Sequence, residues 1–156
     1  MEVPSIRAGI LEDAPTISEF VRELSEEFIV DEFSADARAR FLEDHSEEKV
    51  QERLMGDFRF YVAETRTEIA GVAAIRENSH LFYLFVGRTH QRRGLARRLW
   101  AQVLSDSLAR GNPGRFTVNA SNHAVPAYEK LGFQRIQPTK NADGILYNPM
   151  ALVVAG

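Results

Sequence analysis

The chain contains no cysteine among its 156 residues. That excludes disulfide bridges, cysteine nucleophiles and thiolate metal sites within it. It has no apolar run approaching the ~20 residues that cross a bilayer. Its N-terminal segment lacks the basic-then-apolar order of a secretory leader. No membrane is therefore expected as a partner, and a cytoplasmic location suits the chain. Histidines are few, and His45, His90 and His123 show no ligand spacing with carboxylates, so no metal is expected. A Gly-x-Ser-x-Gly elbow is missing, which argues against a serine hydrolase. The arginines between Arg88 and Arg98 lack aromatic interleaving and the chain is acidic overall, so no nucleic acid is expected.

What is present fits one domain over residues 1–156, large enough to bury a proper core. A hydrophobic content of 44% and a charged content of 26% are ordinary for a soluble globular protein. The net charge of −3 hides a split. Residues 1–57 hold 16 acidic and 6 basic side chains, a net −10, whereas residues 58–156 hold 6 acidic and 13 basic, a net +7. Two differently charged surfaces are implied.

Ser5–Ala8 reads as a first strand. Asp13 is placed to cap a helix with Pro15 in its first turn. Ile17, Phe20, Val21, Leu24 and Phe28 give that helix a core face, and Glu19, Glu23, Glu26 and Glu27 a polar one. Ser34 and Ser46 begin two short helices that end near Leu42 and Met55. Residues 58–64 and 68–76 form a hairpin around Thr65-Arg66-Thr67. The run 80–86 is apolar in both its even set (Phe82, Leu84, Val86) and its odd set (Leu81, Tyr83, Phe85), as a central strand buried on both faces would be. An amphipathic helix from Leu95 to about Ala109 buries Leu95, Leu99, Trp100, Val103, Leu104 and Leu108, and Gly111-Asn112-Pro113-Gly114 stops it. Residues 116–119 form the next strand, and strand–helix–strand of this length implies a parallel pair. A short helix over 124–130 and strands over 133–137 and 146–154 complete an α/β fold, a mixed sheet with helices on both sides.

The organising stretch is Gln91-Arg92-Arg93-Gly94-Leu95-Ala96, between the central strand and the long helix. The first N–H groups of a helix have no intrahelical partners, and the helix dipole adds roughly half a positive charge there. A phosphate is the natural guest, and Gly94 lets backbone approach it closely. The loop is not a Walker loop, because no Gly-Lys-Ser/Thr follows, and it has one of the three glycines of the dinucleotide fingerprint. Downstream stands a second motif, Tyr128-Glu129-Lys130-Leu131-Gly132-Phe133.

Together the two stretches resemble the GNAT superfamily of acyl-CoA-dependent N-acetyltransferases. Gln91, Gly94 and Ala96 fill the fixed positions of that family's Gln/Arg-x-x-Gly-x-Gly/Ala pyrophosphate loop, and Tyr128 to Phe133 match its later signature letter for letter. The element order over nearly the whole chain fits as well. The resemblance implies the GNAT fold, a mostly antiparallel sheet with one parallel strand pair that splays to admit acetyl-CoA. It further implies pyrophosphate on the N–H groups of Arg92 through Arg97, including Leu95, with Arg92, Arg93 and Arg97 adding charge. The pantetheine arm would pair with Leu84, Phe85 and Val86. Tyr128 takes the place of the family's general acid. The family often has asparagine where Ser121 stands, so Asn119 and Asn122 are the nearby substitutes. His80, fourteen residues before Gly94, sits where several members carry a catalytic glutamate; it is either the base or a hydrogen-bonded histidine at a strand end. Tyr83, Glu64 and the acidic residues of the first helix are the fallbacks.

The activity so implied is transfer of acetyl from acetyl-CoA to a primary amine by direct attack. The competing class is a non-catalytic acyl-CoA-binding sensor or interaction module. Members frequently dimerise, so a homodimer fits the resemblance. In the family the first helices line the acceptor side of the cleft, and here they carry the −10 charge. Glu26, Glu27 and Asp31 are thus candidates for binding a cationic acceptor, whether polyamine, aminoglycoside, basic peptide or protein lysine or N-terminus.

Overall fold

The apolar run that the sequence places at the centre of the sheet is there. In the computed structural model, which describes residues 2–154, it forms β4 (His80–Val86) between β3 (Ile69–Arg76) and β5 (Arg115–Ala120). β1 (Ser5–Ala8) and β2 (Phe58–Glu64) extend one side. On the other side lie β8 (Ile145–Val153) and β6 (Gln134–Arg135), giving the order β1-β2-β3-β4-β5-β8-β6. All these pairings are antiparallel except β4–β5. β7 (Lys140–Ala142) pairs with β8 alone as a hairpin.

The sheet buries both faces. On one face α1 (Ala14–Phe28) and α3 (Glu47–Leu54) cover Phe60, Val62, Val72 and Tyr83; α2 (Ala35–Glu43) lies between these helices in the chain. On the other, α4 (Leu95–Ala109) and α5 (Val125–Lys130) pack Leu99, Trp100, Val103 and Tyr128 against Ile75, Leu81, Phe116 and Phe133. Ser34 and Ser46 cap α2 and α3 as expected, their hydroxyls accepting from Ala37 N at 3.2 Å and Lys49 N at 3.3 Å.

Four sequence expectations need correction. Asp13 precedes α1 but does not cap it: its carboxylate accepts two bonds of 2.8 Å from the Arg7 guanidinium and one from Ile10 N. An ionised partner outbids a neutral amide for that carboxylate. Leu108 is 39% exposed, and Ser107 takes the buried position at that end of α4. The last strands are divided differently, because Asp143 and Gly144 turn with positive φ (54° and 93°) and add the β7–β8 hairpin. The Asp-Gly pair between short strands is the signal for it.

The fourth correction matters most for the site. The even and odd sets of β4 do not keep to opposite faces. Ala74 pairs with Tyr83 and Ile75 with Leu81, so Phe82 is an extra residue in β4. Past this bulge Tyr83 and Phe85, with Phe82, pack on the α1 side, whereas Leu81, Leu84 and Val86 pack on the α4 side. A bulge bends its strand and adds twist. β4 pairs with β5 only at His80 and Leu81, and the two strands separate from the bulge onward.

Candidate active site

The gap between β4 and β5 opens into two clefts. The first, of about 380 Å³, is bounded by Leu84, Phe85 and Val86, by the loop before α4, and by α5. Gly94 stands at the N-cap of α4 with φ +79°, and a Cβ built on it would meet nothing within 4 Å. The left-handed backbone there favours glycine, and the space beside it is open to the cleft. Arg92 also has positive φ, 63°, so the backbone turns sharply ahead of α4. Gln91 donates from Nε2 to Val86 O at 3.1 Å, tying the loop to the end of β4.

The second cleft, of about 290 Å³, adjoins the first and shares Ile29, Leu84, Phe85, Ser121, Ala124 and Tyr128 with it. It is walled by the 29–33 segment, by Phe41 of α2, by β4 and by the β7–β8 hairpin. The hairpin is held there by the Arg40 guanidinium, which donates to Asp143 O, and by the close approach of Gly144 to Ser34 and Ala37. A third, acidic groove lined by Glu27, Asp31 and Glu32 adjoins both clefts. Phe28 and His123 stack at 4.8 Å where the groove meets the first cleft.

Tyr128 is 8% exposed, its ring edge-on to Phe133, and burial raises its phenol above the ordinary value. It stays protonated throughout the physiological range and remains a donor. His80 lines the second cleft with Nδ1 2.7 Å from Thr117 Oγ1. Burial, helped by the charge of Arg76, lowers it to about 4, so the ring is neutral at pH 7 instead of titrating near 6.5.

Beside it lies a cluster that sequence reasoning did not assemble. Arg53 donates to Tyr83 OH at 3.0 Å, and Tyr83 OH is 2.6 Å from His45 Nδ1. The Arg53 guanidinium also sits 3.1 Å from the Asp44 carboxylate. Burial and then the charge of Arg53 hold His45 at about 4, and burial pushes the Tyr83 phenol up to about 12. These residues come from α3, β4 and the turn between α2 and α3, so spacing could not reveal them.

The neutral burial of His45 has a consequence for stability. Its folded value lies below the unfolded 6.5, so the unfolded state binds the proton first as pH falls. Stability held above pH 6.5 is lost progressively toward pH 4. Melting temperatures measured from pH 7 to 4.5 are expected to fall more steeply for the wild type than for His45→Gln; equal slopes would refute the assignment.

The predicted residues distribute unevenly. Gln91, Arg92, Gly94, Leu95, Ala96 and Arg97 line the first cleft with Leu84, Phe85 and Val86. Arg93 is not among its lining residues. Asn119 faces the second cleft, because β5 alternates strictly and sends Phe116, Val118 and Ala120 to the α4 side. Asn122 lies in the acidic groove, bonded to Glu32 and, at 2.8 Å, to Asn148 Nδ2. Ser121 reaches all three spaces, with its hydroxyl accepting from Ala124 N at 3.2 Å. Glu27 and Asp31 line the acidic groove, Glu27 paired with Arg88, while Glu26 is exposed and lines none of these spaces. Glu64 is bound to Arg7 at 2.8 Å and lines none of them either.

A loop with left-handed residues at a helix start, beside a gap between diverging parallel strands, is a recognisable arrangement. The acetyltransferase (GNAT) domain model matches residues 29–154. The chain belongs to the GNAT family. Solved structures share the fold at low identity. A GCN5-related N-acetyltransferase from Rhodopseudomonas palustris aligns with 23% identity and TM-score 0.84, over 99% of this chain and 98% of its own. The PaiA N-acetyltransferase of Thermoplasma acidophilum, in complex with coenzyme A, aligns with 18% identity and TM-score 0.81 over 99% and 100%. An aminoglycoside 6′-N-acetyltransferase complexed with coenzyme A gives 14% identity and TM-score 0.71 over 97% and 98%. No sequence match is found among curated proteins. Among the described residues of this GNAT domain no cluster of His, Asp or Glu could hold a metal, and no helix is long and apolar enough to cross a membrane.

Proposed function

We propose that this GNAT domain transfers acetyl from acetyl-CoA to a primary amine by direct attack. The observation that carries the reading is the pair of clefts meeting at Leu84 and Tyr128 through the gap between β4 and β5. One cleft has the features a polyanionic thioester needs, and the other is open to an amine. The first fits coenzyme A on two counts. The space beside the Gly94 Cα is open, and His90 Nδ1, buried at the cleft, has no hydrogen-bond partner among the described residues. Arg92 and Arg97 supply charge for the phosphates. Backbone of β4 beyond Leu81 has left β5, freeing an edge for an amide chain.

When bound, acetyl-CoA supplies the thioester carbonyl. The residues of the chain do the rest. Tyr128 donates a hydrogen bond to negative charge developing on sulfur. Its raised phenol is a poorer acid than a thiol near ~8.5, so stabilising that charge precedes any full proton transfer. An alkylamine near ~10.4 is free base in only about one molecule per thousand at pH 7. The free amine is the attacking form, so its fraction governs kcat/KM. We assign His80 as the acceptor of the proton that the nitrogen sheds once the C–N bond has formed, because it is neutral at the second cleft. The profile of kcat/KM is therefore expected to rise through the alkaline range with no inflection at 6.5, and His80→Ala to lower kcat. An unchanged kcat would remove His80 from the proton path.

The acceptor in this reading is a cation drawn in along Glu27, Asp31 and Glu32. The competing reading is a binding module without turnover. Thiol release from acetyl-CoA across a panel of primary amines separates the two, and the lack of cysteine removes protein background from a thiol reagent. Tight coenzyme A binding with no amine-dependent release would leave the binding module.

A further inference from the structure

We infer that the acceptor is a small monoamine carried on an aromatic body, an arylalkylamine in chemical class. This rests on the acetyl-transfer reading and narrows it. An attacking amine has to reach the junction at Leu84 and Tyr128, so the remainder of the acceptor occupies the second cleft. The far wall of that cleft is made of Phe33, Phe41 and Tyr147, none of which lines the first cleft. Phe82 and Phe85 form the wall along β4. Phe33 and Phe41 meet edge to face at 5.6 Å, and Phe41 leans on His45 at 4.7 Å. A flat ring entering this space finds faces and edges at the geometry aromatic pairs prefer.

The charge inventory points the same way. Among the described residues Asp44 is the only carboxylate lining the cleft, and it faces Arg53 at 3.1 Å. Among them no lysine or arginine lines it, and both of its histidines are neutral at pH 7. A spermidine or an aminoglycoside would carry several ammonium groups into a space whose one carboxylate, Asp44, already faces Arg53, and charge taken from water without partners is costly. A single ammonium is different: aromatic faces attract it, and the acidic groove outside speeds its arrival. The cleft volume of about 290 Å³ also suits a small acceptor better than a folded protein's lysine.

The test uses the intact chain with phenethylamine, hexylamine, spermidine and kanamycin, each followed by thiol release from saturating acetyl-CoA. Expected is a kcat/KM for phenethylamine at least about tenfold above those of the other three, the size of one good aromatic or cation–π site. Calorimetric titration of the coenzyme A complex is expected to show phenethylamine binding and no spermidine binding. In Phe41→Ala, KM for phenethylamine should rise about fivefold or more with KM for acetyl-CoA within about twofold. Phe41→Leu, which keeps bulk if the alanine variant folds poorly, should fall between. A preference for spermidine or kanamycin, parity of hexylamine with phenethylamine, or indifference of both Phe41 variants would overturn the assignment while leaving acetyl transfer intact. If no amine releases thiol but phenethylamine binds in a Phe41-dependent way, the pocket assignment stands and the transferase reading fails.

Discussion

Gly94→Glu is expected to weaken coenzyme A binding by more than about a hundredfold. A hydrogen bond to a charged group is worth ~1.5–3 kcal/mol, and blocking two at the start of α4 gives ~3–6 kcal/mol, beyond two decades in Kd. The new carboxylate would add repulsion where the pyrophosphate belongs. The fold should survive, since a Cβ at this position meets nothing within 4 Å. Two terms set the cost to the free protein. A side chain at φ +79° is strained by ~1–2 kcal/mol, and an acidic group near a helix N-terminus returns ~0.3–1 kcal/mol. Strain wins, so the melting temperature should fall by a few degrees at most, at ~2–4 °C per kcal/mol for this size. Gly94→Asn is the control, because asparagine tolerates the left-handed region and brings no charge. It should lose clearly less affinity than Gly94→Glu, since it obstructs the loop without adding a repelling charge. Unchanged calorimetric affinity in Gly94→Glu would sink the assignment of this loop to phosphate.

Tyr128→Phe is expected to lower kcat by about a hundredfold or more, the usual contribution of a positioned acid. Affinity for acetyl-CoA should stay within about twofold, because the change removes a donor used as sulfur acquires charge, not one used in binding. The ring keeps its place: it belongs to the core shared with Trp100 and Val118, and its edge contact with Phe133 at 5.7 Å does not involve the hydroxyl. Because burial raises the phenol, the wild-type rate should show no loss from Tyr128 up to pH 10. Should kcat survive the substitution, or should the loss lie wholly in KM for acetyl-CoA, Tyr128 would be a structural aromatic and the acid would lie elsewhere.

Local interactions explain why so much was legible beforehand. The start of α4 at Leu95, the caps Ser34 and Ser46 and the central position of β4 depend on groups within a few residues of each other, and sequence carries such information directly. The residues from Gln91 to Arg97 that line the first cleft, all but Arg93, are one continuous loop and helix start. Burial on β5 follows a period of two, so Thr117 and Asn119 face away from Phe116 and Val118 as the pattern requires.

Tertiary structure alone decided the rest. One extra residue at Phe82 reverses the faces of everything after it in β4, and nothing in an all-apolar run marks which residue is extra. The pairing with β5 also ends at that point, and the gap begins there. The second cleft is assembled from the 29–33 segment, Phe41, β4 and the β7–β8 hairpin, parts brought together only by packing over long separations. Arg53, Tyr83 and His45 meet for that reason, and the two low histidine values follow from burial, which composition does not encode. Contiguous residues carried the family, the loop before α4 and the order of elements, because each depends on near neighbours in the chain. The shape and polarity of the second cleft came only from distant segments closing around it.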